Sequence, residues 1–209
     1  MAGRMTYSSS LISETRPLVL DTSVLINLHG CKFGERILAA IPNLIAVPEV
    51  VAEELENETS RENGEHGFLS SLVEAAKVSI VPLEDEELEI FVRLVTASPS
   101  LGDGEAATIA IAATRLYCPV IDERRGRSRA AELMSGIEPA WTLDLLLHSQ
   151  ALSDLGAVQH ADALYFALRD ARMRIHDTHC DHVVDLIGAR RALDCHSLPN
   201  YKLRRVDWR

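Results

Sequence analysis

LVLDTSVLINL, residues 18–28, reads as a short strand that ends on an acid and hands over at once to a helix. Leu18, Val19 and Leu20 form a compact apolar run suited to a strand covered on both faces, as parallel strands are. Asp21 closes it, and Thr22 or Ser23 can cap the helix that follows. The same order recurs down the chain. LIAV (44–47) runs through Pro48, placed for a first helical turn, into EVVAEELENE; VSIV (78–81) runs through Pro82 into the acidic EDEELEIFVRLV; PVI (119–121) ends at Asp122. Further helices are predicted near residues 68–76 and over EAATIAIAATRL, SRAAELM, WTLDLLLHSQALS and HADALYFALRDARM, while RENGEHG (61–67) reads as a polar loop. Strands alternating with helices imply an α/β fold with a central, mostly parallel sheet and right-handed crossovers.

Such a sheet gathers four acids at one edge. Asp21 and Asp122 each end an apolar run, so both project from the carboxyl ends of strands, where open α/β sheets place their sites. Glu54 in VPEVVAEEL and Glu105 in LGDGEAATIAIA come from helices packed alongside. Carboxylates packed together repel and raise one another's pKa, so the arrangement calls for a divalent cation or for partial protonation. Each acid also has a plainer reading. Asp21 can be a helix cap, Glu54 belongs with Glu53 and Glu56 to an acidic helix face, and Glu105 and Asp103 are first-turn acids favoured by the helix dipole. Gly102 and Gly104 allow close backbone approach around the last two, which suits a site and a simple turn alike.

At 209 residues, with 47% hydrophobic and 25% charged side chains, the chain suits one sizeable globular domain with an appendage. Residues 1–16 are polar and read as a flexible segment, 17–173 as the domain, and 174–209 as a helical and basic extension. No apolar stretch approaches the roughly 20 residues that span a bilayer, and the N-terminus lacks an apolar signal core, so a cytoplasmic protein with no membrane contact is expected. Cys31, Cys118, Cys180 and Cys195 form no CxxC pair, which argues for reduced thiols. The extension holds His176, His179, Cys180, His182, Cys195 and His196 at spacings unlike a zinc finger. Net charge is −10, all of it in residues 1–120, which hold 18 acids and 8 bases against 13 of each in the remainder. That balance argues against a general nucleic-acid coat, but Arg124, Arg125, Arg127 and Arg129 follow Asp122 closely and can grip phosphates locally.

LVLDTSVLINL, VPEVVAEEL, LGDGEAATIAIA and PVIDERRGRSRAAEL, in that order from about Leu18 to Met173, resemble the motifs of the PIN-domain nucleases. Within that family they are similar to the VapC-like group whose third motif reads LGxGE and whose fourth reads IDxxxGR. The resemblance implies an α/β/α sandwich, an acidic pocket for Mg2+ or Mn2+, and endoribonuclease activity. Asp21, Glu54, Glu105 and Asp122 match the catalytic, metal-holding positions, with Asp103 and Glu123 as neighbouring substitutes. Thr22 and Ser23 would orient the ligands, and Arg124, Arg125 and Arg127 would contact RNA. For a toxin of this kind the family further implies a small antitoxin partner and a homodimer. The chain departs from the commoner toxin pattern by carrying Glu105 rather than an aspartate and by pairing Asp122 with Glu123. A PIN-like binding or regulatory module that does not cut is therefore the alternative. A haloacid-dehalogenase-like phosphatase would need an aspartate where Ser23 stands, and neither a GxGxxG nor a GxxxxGK[ST] pattern occurs.

Overall fold

The computed structural model describes residues 7–208. In chain order the elements are β1 (Leu18–Leu20), α1 (Thr22–Gly30), α2 (Gly34–Ala40), β2 (Ile45–Pro48), α3 (Glu49–Glu54), α4 (Glu58–Asn63), α5 (Glu65–Glu74), β3 (Ser79–Val81), α6 (Asp85–Val95), α7 (Asp103–Arg115), β4 (Cys118–Val120), α8 (Arg124–Leu133), α9 (Thr142–Leu146), α10 (Ser149–Arg169), α11 (Cys180–Ile187), α12 (Ala189–Ala192) and α13 (Tyr201–Arg204). The four strands form one sheet in the order β3-β2-β1-β4, and every pairing is parallel. An α/β fold around a parallel sheet is thus what the alternating pattern builds.

The chain divides into two compact units. One comprises Ser13–Ile26 and Pro42–Thr142 and contains the whole sheet. Its strands β1, β2 and β4 are buried along their length, whereas β3, at the sheet edge, is largely exposed. Helix α7 packs on β1, β2 and β4 and also meets α3, α6 and α8. Gly104–Ala112 are accordingly buried all round the helix, which explains its run of Ala and Ile: small and branched apolar side chains suit a helix with no solvent face. Val19, Leu94, Leu101, Ile109, Ile111, Ile121 and Met134 share this core. Glu87 of α6, almost fully buried, receives Arg115 of α7 through Nε at 2.6 Å and Nη2 at 2.7 Å, which locks the two helices.

Of the described residues, the other unit comprises 7–12, Asn27–Ile41 and 143–208. Here α2 and α11 pack on α10, with Arg36 paired to Asp154 at 2.9 Å. The Tyr7 hydroxyl donates to Asp144 at 2.6 Å, and its ring lies edge-on to His179. Leu11 is buried and Ser10–Ser13 form a 3-10 helix within the segment read as 1–16, whose residues 1–6 lie outside the described residues.

Three local expectations are corrected. RENGEHG is not a loop: α4 and α5 run through it, separated by Gly64 alone, whose φ of 86° turns the chain between them. Asn57 starts α4 by accepting the Ser60 N–H at 2.9 Å, a cap that a reading of polar composition overlooks. WTLDLLLHSQALS does not form one helix. The chain breaks before His148, whose Nδ1 caps α10, and α10 then continues to Arg169 across a non-helical Gly156. Helix α8 begins at Arg124, four residues before the predicted SRAAELM.

Candidate functional site

Strand order dictates where the acids meet. Successive connections carry the chain from β1 outward to β2 and β3, then back across to β4 on the other side of β1, so the direction of winding reverses between β1 and β4. A crevice opens outside the carboxyl ends of strands at such a reversal. Asp21 follows β1 directly, and its N–H donates to Val120 O of β4 at 3.2 Å. Asp122 lies two residues beyond β4. Glu54 is the last residue of α3 and Glu105 the third of α7.

Two glycines show how tightly these motifs are drawn together. A Cβ added at Gly104 would lie 2.6 Å from Thr22 Oγ1, 2.7 Å from Glu54 Oε2 and 3.2 Å from Asp21 Oδ1. One added at Gly126 would fall against Glu105 Oε1 and 2.9 Å from Ile121 Cγ2. Neither position has room for a side chain, so the glycines of the third and fourth motifs are the surfaces on which the carboxylates rest. Gly126 is the glycine of IDxxxGR, and what the motif alone does not show is that it lies against Glu105.

The carboxylates are held unequally. Glu54 accepts the Thr22 hydroxyl on Oε2 and the Gly104 N–H at 2.8 Å on Oε1. Asp21, only 3% exposed, accepts the Ser23 hydroxyl at 2.7 Å. Asp122, half-buried, accepts the Thr142 N–H at 2.8 Å and the Thr142 hydroxyl at 2.6 Å, one on each oxygen. Glu105 is 9% exposed, and among the described residues its buried Oε1 has no hydrogen-bond partner. Burial pushes Asp21 up to about 6, and the charges of Asp122 and Glu54 add to it against the bonds from Ser23 and the Thr22 backbone. Burial likewise pushes Glu105 up to about 7; Asp21 and Glu123 add to it, while the Gly102 backbone and Arg125 oppose it.

The remaining candidates lie around this pocket. Asp103 and Glu123 are exposed, the first opening α7 and the second just ahead of α8. Arg124 and Arg125 are exposed on the first turn of α8. Arg127 turns inward instead: Nη1 donates to Ile121 O at 3.0 Å and to Asp122 O at 2.5 Å, and the guanidinium lies 5.0 Å from the Trp141 ring. It thereby holds the backbone that carries Asp122.

The donor set is all oxygen, as hard divalent cations require. Among the described residues no three His, Cys, Asp or Glu side chains stand ready to hold an ion. Thr22, Gly104, Ser23 and Thr142 occupy oxygens of three of the acids. The orphaned Glu105 oxygen and the two buried, mutually repelling acids nevertheless fit a cation in chemistry, because a positive charge there would satisfy the first and relieve the second.

The sequence matches the family model for a PIN domain over residues 17–189. No curated protein and no solved structure matches it.

Proposed function

From the premise that this chain belongs to the PIN-domain family, a nuclease fold, we propose that it is a Mg2+- or Mn2+-dependent endoribonuclease of the LGxGE and IDxxxGR group. The observation that carries the metal dependence is Glu105 Oε1, buried without a partner beside the nearly buried Asp21 at the β1–β4 crevice. Asp21 and Glu105 would hold the ion, with Glu54 and Asp122 beside them. A bound hard cation supplies an activated water and stabilises charge on a scissile phosphate. Ser23 orients Asp21, while Thr22 and the Gly104 N–H orient Glu54. Burial and the neighbouring Asp21 charge favour the protonated form of Glu105, and a bound cation would favour the ionised one. Arg124 and Arg125 stand on the rim, where they can pair with RNA phosphates.

A toxin role, with a small antitoxin and a homodimer, extends this reading through the family group, as does a cytoplasmic location. Among the described residues no helix is long and apolar enough to cross a membrane. Incubating the purified chain with RNA and Mn2+ tests the activity. Cleavage is expected in Mn2+, none with a chelator, and none from Asp21→Asn; a variant that cuts like the parent would refute the mechanism.

One observation favours the second reading, a module that binds but does not cut: three of the four acids already have oxygens engaged by the chain's own donors. Calorimetric titration separates the two. Heat from Mn2+ binding below millimolar concentration supports the nuclease, and none at millimolar metal supports the inert module.

A further inference from the structure

We propose that Thr142 is a positioning residue for Asp122, setting the plane of the carboxylate that stands beyond β4; this deepens the metal-dependent reading above and rests on it. The backbone explains how a residue 20 positions away arrives there. Ile121 N donates to Ala140 O at 2.9 Å, Ala140 N donates to Pro119 O at 2.9 Å, and Val120 bridges Ala140 in parallel. Residues 119–121 and the chain around Ala140 therefore run side by side, and Asp122 and Thr142 leave that pairing together.

Thr142 is fully buried, so its hydroxyl must find its partner inside the protein. That partner is Asp122 Oδ2 at 2.6 Å, while the Thr142 N–H takes Oδ1 at 2.8 Å. Capping the short helix α9 would need only the N–H. The hydroxyl bond to the second oxygen goes beyond that need and stops the carboxylate from rotating. A carboxylate has room for about four acceptor contacts, so two donors orient it without exhausting it.

A second clamp acts on the backbone of the same residue. Arg127 ties down the carbonyls of Ile121 and Asp122 and rests on Trp141, the neighbour of Thr142. Residues 127, 141 and 142 thus hold both the main chain and the side chain of Asp122. Freezing an acid in this way matters for an ion or a reacting phosphate, where a small misplacement lowers activity steeply.

The test is Mn2+ calorimetry and RNA cleavage on the full chain carrying Thr142→Val, Thr142→Ser, or Thr142→Val with Asp122→Asn. Thr142→Val should lose about 10- to 100-fold in Mn2+ affinity or kcat, with KM for RNA little changed. Thr142→Ser, which keeps the hydroxyl, should stay close to the parent, and Thr142→Val should add nothing once Asp122 is Asn. If the valine variant does not fold, Thr142→Ala removes the same hydroxyl without a new methyl and should show the same loss. A hydroxyl-free variant with a lower Tm but parental Mn2+ affinity and kcat would overturn the proposal and leave the Thr142–Asp122 bonds a matter of stability alone. A parent chain that neither binds Mn2+ nor cuts RNA would overturn the nuclease reading and this one with it.

Discussion

Removing the Asp21 charge should make the empty protein more stable, and the gain should depend on pH in a defined way. Asp21 sits at about 6 in the folded chain against an ordinary value of 3.8, chiefly because burial strips its charge of water. The folded state therefore binds more protons than the unfolded state between those values, and stability falls as pH rises through that window. Above it the cost is constant at about 3 kcal/mol, since one pKa unit corresponds to about 1.4 kcal/mol. Near pH 4 the same linkage leaves less than about 1 kcal/mol. Asp21→Asn carries no charge and retains an acceptor for the Ser23 hydroxyl, so it should exceed the parent by about 2–3 kcal/mol at pH 8. For a chain of this size that is roughly 5–10 °C in Tm, shrinking to about 1–2 °C at pH 4. The assay is thermal unfolding of both proteins in chelator at pH 4, 6 and 8. An asparagine variant less stable than the parent at pH 8, or a difference that does not grow with pH, would refute the claim that Asp21 is held charged at a cost.

The same pocket should load metal better as pH rises. Glu105 near 7 and Asp21 near 6 must shed protons to ligate, so Mn2+ affinity measured by calorimetry should weaken steadily below pH 7, with protons released on binding. Gly126→Ala should drive a methyl into Glu105 Oε1 and Ile121, lowering Mn2+ affinity and cleavage by about 10-fold or more, the scale of a displaced ligand, as titration and cleavage rates will show. Arg115→Ala strands the buried Glu87 and should cost about 2–3 kcal/mol in denaturant unfolding, with Mn2+ affinity unchanged because the pair joins α6 to α7 away from the four acids.

What could be read from the residues was whatever is written locally. Leu18–Leu20 followed by Asp21 is a buried strand and a strand-end acid in one stretch, and the Ala and Ile content of α7 announces a helix without a solvent face. Alternation then implied the parallel sheet. Punctuation was harder: one Gly64 between two helices looks like a loop when its polar neighbours are counted with it, and His148 ends one helix and caps the next inside an apolar run that gives no sign of a break. The site divided in the same manner. The four acids were legible because each sits in a motif, whereas the partner of Asp122 was not, because Thr142 reaches it only through the pairing of residue 140 with β4. Arg127 looked like a phosphate ligand by composition. What composition could not show is that its guanidinium also donates to two carbonyls at a strand end and lies by an indole ring.

Sharing of a divalent cation by Asp21 and Glu105 at the β1–β4 crevice is what the proposed activity requires. A crystal of the full chain soaked in Mn2+ and measured at the manganese edge tests it directly. An anomalous peak is expected within about 2.0–2.6 Å of a carboxylate oxygen from each of these two residues, the Glu105 contact coming from its unpartnered oxygen. Full occupancy elsewhere, or no peak in the crevice at millimolar Mn2+, would contradict it.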